Sequence, residues 1–280
     1  MQEVSVIVLT KNSEKILEDC LKSITKNGPS EIIIIDDGST DRTLEISKKW
    51  TDQIYHNGKG VGFGRQLGVQ KATSKYIAYV DSDMILPDAY FERMFLEKLN
   101  GGYHAIQAQT LSLDNSTYWA WAENEVHKPY NKPGEQGWVG AGNTIFDKDV
   151  LLEYGFDPTI TSSEDSELSY RLKLAGYKLG RASVGVLHLH RLDYKSWTKQ
   201  KIWRGKGKAQ FVNKYWRSAS AIRPFLNPTY SIIFSLPLSI MKYHKLRLFP
   251  YILLDGVFQE VGLLSELTIL IVMHRRRIDY

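Results

Sequence analysis

The sequence predicts an α/β fold in which a mostly parallel sheet is flanked by helices. Short apolar runs alternate with segments of helical periodicity through the first half of the chain. The runs Val4–Thr10 and Glu31–Asp36 are nearly continuous in apolar, largely β-branched residues, which is typical of strands buried on both faces. A third run, Tyr76–Val80, ends directly in an acidic segment. The alternation predicts β-α-β units and therefore parallel strands.

The other elements follow from local signals. Helices are predicted, in chain order, over residues 17–24, 39–50, 63–73 and 164–175, and a last alternating strand over residues 183–190. Ser39 or Thr40 is expected to cap the second helix, and Gly176 to end the fourth. Cys20 lies on the apolar stripe of the first helix, so we expect a core residue there and not a reactive thiol.

Length and composition exclude several classes of protein. The 280 residues are 43% hydrophobic and 24% charged, as in ordinary globular chains, and fit one large domain with an appendage or two small domains. A single cysteine excludes a disulfide framework and a thiolate-rich zinc site. The opening MQEVSVIVLT has no basic leader and reads as a first strand rather than a signal peptide, so we expect a cytosol-facing catalytic part.

Positive charge is concentrated in one segment. The formal net charge is +5, yet residues 191–223 hold ten Lys or Arg against one acid, Asp193, mixed with aromatic residues. Such a segment can contact anionic lipid, a phosphorylated substrate or nucleic acid, or form a solvated helix face. Nucleic acid is the least expected partner, because no nucleic-acid motif accompanies the segment and an apolar tail follows it.

The last part of the chain changes character. Residues 224–241 are uncharged but contain three prolines, and residues 248–273 are interrupted by Asp255, Glu260 and Glu266. Basic clusters before, between and after both stretches conflict with two membrane spans. We therefore predict an interfacial or re-entrant tail on the cytosolic leaflet, with two spans or a soluble helical subdomain as alternatives. The predicted parts are residues 1–210, catalytic, and 211–280, a basic and apolar helical tail.

Two carboxylates follow the third apolar strand. Asp81 and Asp83 are expected at the carboxyl edge of a parallel sheet, where open α/β folds bind ligands. Their i, i+2 spacing lets both reach one hard divalent cation of the kind that bridges phosphates. Taken alone, the pattern is more often a turn with a helix cap.

The acidic pair belongs to an ordered series of motifs. The series runs Val4 to Asn12, Asp36-Asp-Gly-Ser-Thr-Asp41, Gly60 to Arg65, Asp81-Ser-Asp83 and Ser163-Glu-Asp165. Over residues 3 to 210 this order resembles the inverting family-2 glycosyltransferases, which have the GT-A (Rossmann-like) fold. The resemblance implies a nucleotide-diphosphate-sugar donor, a Mg²⁺ or Mn²⁺ ion, and transfer to an acceptor hydroxyl.

The resemblance assigns the donor site. It implies nucleotide and donor contacts from Thr10, Asn12, Asp36, Asp37, Arg65 and Asp81, with Asp37 at the base. Leu9 departs from the family, in which proline is frequent at this position. The residues also allow an Asx turn at Asp36 and Asp37, and a surface charge at Arg65.

Catalysis and metal binding are assigned in the same way. The resemblance makes Asp165 the general base and implies a metal site of Asp81, Asp83 and His188, although an isolated histidine is more often structural. Glu164 is expected to cap the helix or bind acceptor, and Thr161 to Glu164 also form a capping-box pattern. A helix N-terminus predicts a lowered pKa for Asp165.

The acceptor side is predicted from the middle of the chain. Acceptor contacts are expected from Trp138, Gly142, Asn143, Glu164 and Arg204, with Trp138 as a stacking platform for a sugar. The processive members of the resembled family carry Gln-x-x-Arg-Trp, whereas this chain has Gln200-Lys-Ile-Trp-Arg204. The permuted order favours a single transfer over polymer synthesis.

The leading hypothesis is a glycosyltransferase at the cytoplasmic face of the cell membrane, peripheral or monotopic. It adds one sugar to the hydroxyl or phosphate of a lipid-linked or glycan acceptor. A non-catalytic scaffold that keeps the fold is the alternative. A nucleotidyltransferase is disfavoured because the loop Thr10 to Ser13 lacks glycine, and a dinucleotide-binding fold because Gly58 to Gly64 has the wrong register.

Overall fold

The computed structural model describes residues 3–218 and 246–278. Its sheet begins with a parallel half in the order β3-β2-β1-β4. These strands are β1 (Val4–Thr10), β2 (Glu31–Asp36), β3 (Ile54–His56) and β4 (Tyr76–Val80). Along β1, Val6 and Val8 enter one core layer and Ile7 enters the opposite layer. Burial on both faces explains why β1 and β2 read as continuous apolar runs.

The second half of the sheet is mixed, which corrects the expectation of a mostly parallel sheet. The order continues β4-β8-β6-β9-β5, with β7 also paired to β9. These strands are β5 (Met84–Ile85), β6 (Ala105–Ser112), β7 (Gly134–Gln136), β8 (Asn143–Asp147) and β9 (Leu179–His188). Strand β8 runs antiparallel to both β4 and β6, and β9 starts at Leu179, earlier than predicted. Because β8 is antiparallel, its start lies beside the carboxyl end of β4.

Helices cover the sheet. They are α1 (Leu17–Lys26), α2 (Thr43–Ser47), α3 (Val61–Lys71), α4 (Tyr90–Gly101), α6 (Lys148–Glu153) and α7 (Glu164–Leu174). The fully buried Cys20 confirms the predicted stripe of α1. Helix α2 starts at Thr43, so the predicted cap at Ser39 or Thr40 is wrong. The glycines of α3 serve packing, because a Cβ on Gly62 would collide with the Asp157 carbonyl.

The chain forms two compact units. The first comprises Met1–Leu113 and His127–Leu189, and holds the sheet. The second contains α5 (Tyr118–His127) except its last residue, α8 (Tyr194–Tyr215) and α9 (Phe249–Ile278), together with a short 3₁₀ turn, Leu246–Leu248. The division falls near residue 190, before the boundary predicted at residue 210, because α8 packs along α9.

The second unit has its own core. Trp197 and Tyr251 are 1% exposed and pack with their rings 5.2 Å apart. Lys201 Nζ forms a buried ion pair with Glu123 Oε2 at 2.7 Å. Residues 248–273 of the predicted tail therefore lie in α9 and the turn before it, and residues 224–241 lie outside the described residues. Within residues 3–218 and 246–278, no helix is long and apolar enough to cross a membrane.

Helices α8 and α9 approach through glycines, which gives a first testable prediction. A Cβ on Gly205 would collide with the Gln259 carbonyl, and one on Gly262 with the Ile202 carbonyl. We expect Gly205→Val to lower the free energy of unfolding by about 1–3 kcal/mol, because backbone atoms on both helices must move apart. Chemical denaturation measures this change, with the exposed Asn213→Ala on the same helix as control. Equal midpoints for both variants would show that the close approach is absent.

Candidate active site

The loops after β1 and β2 are joined by a buried carboxylate. Asp36 has no exposed surface and accepts hydrogen bonds from Thr10 Oγ1 (3.0 Å) and from the backbone N–H of Ser39 (2.9 Å) and Gly38 (3.0 Å). This is the Asx turn that the sequence allowed. Asp36 and the buried Thr10 therefore hold the two loops together from inside, which differs from the direct donor contacts predicted for them.

Asn12 joins the same loops at the surface. Its backbone is left-handed, with φ 51°, and its Oδ1 accepts a hydrogen bond from Thr40 N at 2.8 Å. The neighbouring Ser13 hydroxyl lies 2.8 Å from that of Ser82, inside the Asp81-Ser-Asp83 segment. Three loops at one edge of the sheet are thereby fixed relative to one another.

Asp37 presents an acceptor at this edge. Its Oδ2 pairs with Lys11 Nζ at 2.8 Å, whereas its buried Oδ1 has no hydrogen-bond partner within residues 3–218 and 246–278. A buried carboxylate oxygen without a donor is costly, so a ligand N–H would be favoured there. Lys11 was not predicted as a site residue, because a surface lysine has no distinguishing local signal.

Arg65 is the buried cation of the site, so the surface-charge alternative is wrong. The residue is 6% exposed, and its Nε donates to Glu164 Oε1 at 3.0 Å and its Nη2 to Asp81 Oδ1 at 3.3 Å. Its Nη1 is buried without a partner among the described residues. The guanidinium also lies 5.1 Å from the centre of the Tyr79 ring. One side chain thus connects the acidic segment after β4 with the start of α7.

Gly142 makes space for the first carboxylate of that segment. A Cβ on Gly142 would collide with Asp81 Oδ2, and the Gly142 carbonyl accepts a hydrogen bond from Asp81 N at 2.8 Å. Asn143 has no exposed surface, and its amide bonds inward to Gln107 Nε2 (2.8 Å) and the Ala108 carbonyl (3.1 Å). The antiparallel β8 places Asn143 opposite Val80, so both residues contact neighbouring protein groups at this edge, and their acceptor contacts stay a prediction.

This close approach predicts a specific defect. If the nucleotide and divalent ion implied by the sequence resemblance bind at this edge, we expect Gly142→Ala to weaken Mn²⁺-dependent nucleotide binding at least about tenfold, which corresponds to 1.4 kcal/mol, because the added methyl displaces the Asp81 carboxylate. Calorimetric titration with UDP and GDP measures the effect. Gly137→Ala is the matched control, since its Cβ would meet only the flexible end of Lys173. Unchanged affinity in Gly142→Ala would argue against a ligand role for Asp81.

Asp83 and His188 form a pair of side chains of the types that bind metal ions. His188 Nε2 lies 3.3 Å from Asp83 Oδ1, because Met84 and His188 are partners in the β5–β9 ladder. Carboxylate and imidazole together are ligands that a divalent cation such as Mn²⁺ accepts. In the described part of the chain, no three acidic, histidine or cysteine side chains are arranged to hold a metal. These two side chains fit part of the coordination shell of a metal ion, which oxygens of a bound ligand would complete.

Helix α7 starts with two carboxylates in different environments. The N-cap Ser163 is left-handed, with φ 65°, and makes no side-chain cap, so the capping-box prediction is wrong. Burial, together with the charge of Asp165, raises the pKa of Glu164 to about 7 despite Arg65. With 4% exposure, Glu164 holds Arg65 through a hydrogen bond. The N-cap of α7 is Ser163, not Glu164, and the acceptor role of Glu164 stays a prediction.

Asp165, the next residue of α7, lies close to Gly140 and Trp138. The position of a Cβ on Gly140 would be 3.5 Å from Asp165 Oδ2 and 3.3 Å from the Trp138 ring. Burial raises the pKa of Asp165, against the opposing effects of Arg65 and of the Ser166 N–H. The predicted lowering by the helix N-terminus is wrong, because desolvation outweighs it.

Trp138 and Arg204 complete the predicted acceptor residues. Trp138 is 43% exposed, and its Nε1 donates to Ser166 Oγ at 3.1 Å, next to Asp165 in the chain. This arrangement leaves the ring available for stacking. Arg204 belongs to the second compact unit, where its Nη1 donates to Glu123 Oε1 at 3.2 Å.

Solved structures share this fold at low sequence identity. S. aureus TarS 1-349 in complex with UDP-GlcNAc matches with a TM-score of 0.56 and 16% identity, over 92% of this chain and 81% of that chain. The mannosyltransferase PcManGT from Pyrobaculum calidifontis, in complex with GDP-Man and Mn²⁺, matches with a TM-score of 0.60 and 15% identity, over 99% and 81%. The mixed sheet with flanking helices is therefore of the GT-A type.

Sequence comparison identifies the family. The model of Glycosyl transferase family 2 matches residues 5–149, just over half of the chain. The chain therefore belongs to glycosyl transferase family 2. TarS of Staphylococcus aureus, a poly(ribitol-phosphate) beta-N-acetylglucosaminyltransferase, is 35% identical over 30% of this chain and 16% of its own length. ExoA of Rhizobium meliloti, a succinoglycan biosynthesis protein, is 27% identical over 61% of each chain. The chain thus matches less than two thirds of the length of these relatives.

Proposed function

We propose that this chain is a metal-dependent, inverting glycosyltransferase that transfers one sugar from a nucleotide-diphosphate sugar. The acceptor group is a hydroxyl or phosphate of a membrane-held molecule, lipid-linked or glycan. The observation that carries the proposal is the bridge of Arg65 between Asp81 and Glu164, immediately beside Asp165. A scaffold protein would have no need for a buried guanidinium that joins these acidic segments, since such charges are costly to bury.

The donor is recognised at the loops after β1, β2 and β4. The unpaired Asp37 Oδ1 suits an N–H of a base, and Lys11 beside it suits a nearby phosphate or ribose oxygen. The free Nη1 of Arg65 suits an oxygen of the diphosphate, because guanidinium groups bind phosphate through several parallel hydrogen bonds. Donors of the two nucleotide types seen in the similar structures, UDP-GlcNAc and GDP-mannose, are the first to test.

A divalent ion, Mg²⁺ or Mn²⁺, would be held by Asp81, Asp83 and His188. The carboxylate and imidazole groups suit such an ion, and Gly142 leaves the space that the Asp81 carboxylate needs. The presence of Mn²⁺ in the PcManGT structure supports this choice. When bound, the ion would supply positive charge that offsets the negative charge developing on the departing diphosphate.

Asp165 is the general base in this proposal. Its carboxylate takes the proton of the acceptor hydroxyl while that oxygen forms a bond to the anomeric carbon of the donor sugar. The bond from this carbon to the diphosphate oxygen breaks, and its electron pair leaves with the nucleoside diphosphate. Attack opposite the leaving group inverts the anomeric configuration. A raised pKa makes Asp165 a better proton acceptor than an ordinary aspartate.

The membrane part of the proposal is supported by the second unit. Helix α9 exposes Val257, Val261 and Leu264, which share one face at helical spacing. Helix α8 exposes Lys195 and Lys199. Apolar and basic surface together favour the anionic cytoplasmic leaflet, and a lipid-linked acceptor would be presented there.

A turnover assay tests the proposed activity. The full chain is incubated with UDP-GlcNAc or GDP-mannose, and release of UDP or GDP is measured with Mn²⁺ and again with EDTA. We expect release that requires the metal and is lost in Asp83→Ala, but kept in the exposed control Asp19→Asn. If the wild-type chain binds nucleotide without turning over any sugar donor, the non-catalytic scaffold is the better account.

A vesicle assay tests the membrane proposal separately. We expect the full chain to sediment with vesicles of phosphatidylcholine and phosphatidylglycerol, and less with phosphatidylcholine alone. Replacing both Val261 and Leu264 by Ser should reduce sedimentation, because it removes exposed apolar area. Equal recovery in the supernatant with both vesicle types would contradict binding to anionic membranes.

A further inference from the structure

Arg181 is a buried cation that lacks a counter-ion in the described part of the chain. It is 5% exposed, and no carboxylate of the described residues lies within ion-pair distance. The other buried cations of these residues, Arg65, Lys98 and Lys201, each pair with at least one carboxylate. Burial also lowers the pKa of Arg181, as expected for a charge that no acid compensates. An uncompensated buried charge is costly and indicates a functional requirement.

The guanidinium of Arg181 uses few of its donors. Nη2 donates to Gln107 Oε1 at 2.9 Å, whereas Nε is buried without a hydrogen-bond partner among the described residues. A guanidinium carries five N–H groups, arranged to match two oxygens of one anion. Support of a single amide oxygen requires only a neutral donor, so the bond to Gln107 does not explain a charged residue here.

Gln107 connects Arg181 with the part of the proposed active site around Gly140 and Asp165. Its Oε1 also accepts the Gly140 N–H at 2.9 Å. The position of a Cβ on Gly140 lies 2.9 Å from Gln107 Nε2, 3.3 Å from the Trp138 ring and 3.5 Å from Asp165 Oδ2. Three side chains therefore pack closely around Gly140, and one of them, Gln107, is hydrogen-bonded to Arg181.

We propose that Arg181 forms an anion subsite for the acceptor, binding a phosphate or carboxylate group carried next to the hydroxyl that is glycosylated. The inference rests on the proposed transfer reaction and adds the chemical class of the acceptor, a molecule with an oxyanion close to its reacting group. The subsite adjoins Gly140 through Gln107, whereas Arg65 contacts Asp81 and Glu164 and serves the donor diphosphate. Removal of Arg181 would then weaken acceptor binding and leave donor binding intact.

Thermal unfolding of the full chain tests the subsite with inorganic phosphate as the probe. UDP or GDP with Mn²⁺ is first added to saturation, so that the donor site is occupied. Phosphate is then titrated against sodium chloride of equal ionic strength, and acetate is titrated in parallel. We expect phosphate to raise the midpoint of the wild type and of the exposed control Arg93→Met, but not of Arg181→Met. Arg181→Lys should retain part of the shift.

The outcomes separate the alternatives. Stabilisation by acetate as well as phosphate identifies a general oxyanion site, and stabilisation by phosphate alone identifies a phosphorylated acceptor. Equal shifts in wild type and Arg181→Met, or no shift in either, overturn the proposal. Arg181→Met should unfold at or above the wild-type midpoint, because it removes an uncompensated buried charge. A purely structural arginine would instead give a large fall and contradict the subsite.

Failure of the donor proposal is distinguishable from failure of the subsite. If neither UDP nor GDP binds in calorimetry, the proposed transfer reaction fails by itself. The phosphate titration is then repeated in Arg65→Met, which lacks the other buried guanidinium of the first unit. A phosphate shift in Arg65→Met that disappears in the double variant with Arg181→Met would still establish the anion site.

Discussion

Asp165→Asn is expected to lower kcat by about 10³-fold, the contribution typical of a positioned general base. The amide keeps the shape of the side chain but cannot accept the proton of the acceptor hydroxyl. Nucleotide affinity should stay within a factor of two or so of the wild type, because donor contacts are assigned to other loops. Steady-state kinetics with the identified donor, combined with calorimetry, measure both quantities. Asp19→Asn, exposed on α1, is the matched control.

The pH dependence of the wild type gives an independent check of the base. Because burial raises the pKa of Asp165, its carboxylate becomes protonated at a higher pH than an ordinary aspartate. The unprotonated form is the active one, so kcat/KM should fall as the pH is lowered through this raised pKa. The neighbouring Glu164, with a pKa of about 7, titrates together with it, and Glu164→Gln separates the two groups. An Asp165→Asn variant with full turnover would refute the assignment.

Arg65→Met is expected to have the second largest effect. It leaves the buried Glu164 and the half-buried Asp81 without their shared cation, and removing one partner of a buried ion pair typically costs about 3–5 kcal/mol of stability. It also removes the unpaired Nη1 that we assign to the donor diphosphate. Chemical denaturation and nucleotide calorimetry should therefore both show large losses.

Arg65→Lys separates the two functions of this side chain. An ammonium group retains the positive charge, but it cannot place parallel N–H groups toward Asp81, Glu164 and a phosphate at once. We expect intermediate stability with nucleotide binding still impaired. Arg93→Met, exposed on α4, controls for the loss of one positive charge. Wild-type stability and affinity in Arg65→Met would show that the bridge does not form.

The sequence predicted those parts of the fold that depend on local pattern. Strands β1, β2 and β4 have the predicted bounds, because continuous apolar runs directly reflect burial on both faces. Helix α7 starts at the predicted residue, Glu164. The order of the motifs was sufficient to indicate the family, which the match over residues 5–149 confirms.

The remaining features depend on contacts between distant segments. The antiparallel direction of β8 brings Gly142 against the Asp81 carboxylate and Asn143 against Gln107, contacts that no local pattern predicts. The buried hydrogen bond between Asp36 and Thr10, which joins the loops after β1 and β2, was not predicted either. Arg181, which we propose as an acceptor subsite, was not predicted, nor was its partner Gln107, although an arginine between small residues in a buried strand is a signal that sequence inspection is able to use.

The acceptor and the membrane remain predictions. The assignment of the metal to Asp81, Asp83 and His188 is a prediction as well. It is supported by the adjacency of two of these side chains, Asp83 and His188. The apolar residues 224–241 lie outside the described residues, and the interfacial tail is supported by the exposed apolar face of α9 and the exposed lysines of α8.

Calorimetric titration of the full chain with UDP and with GDP, in Mn²⁺ and again in EDTA, tests the central claim most directly. We predict saturable binding of one nucleotide that requires the metal, is lost in Asp83→Ala and is retained in Asp165→Asn. Such a result would establish the donor site and select the base. Absence of binding by the folded chain in Mn²⁺, for both nucleotides, would contradict a nucleotide-sugar site at this edge of the sheet.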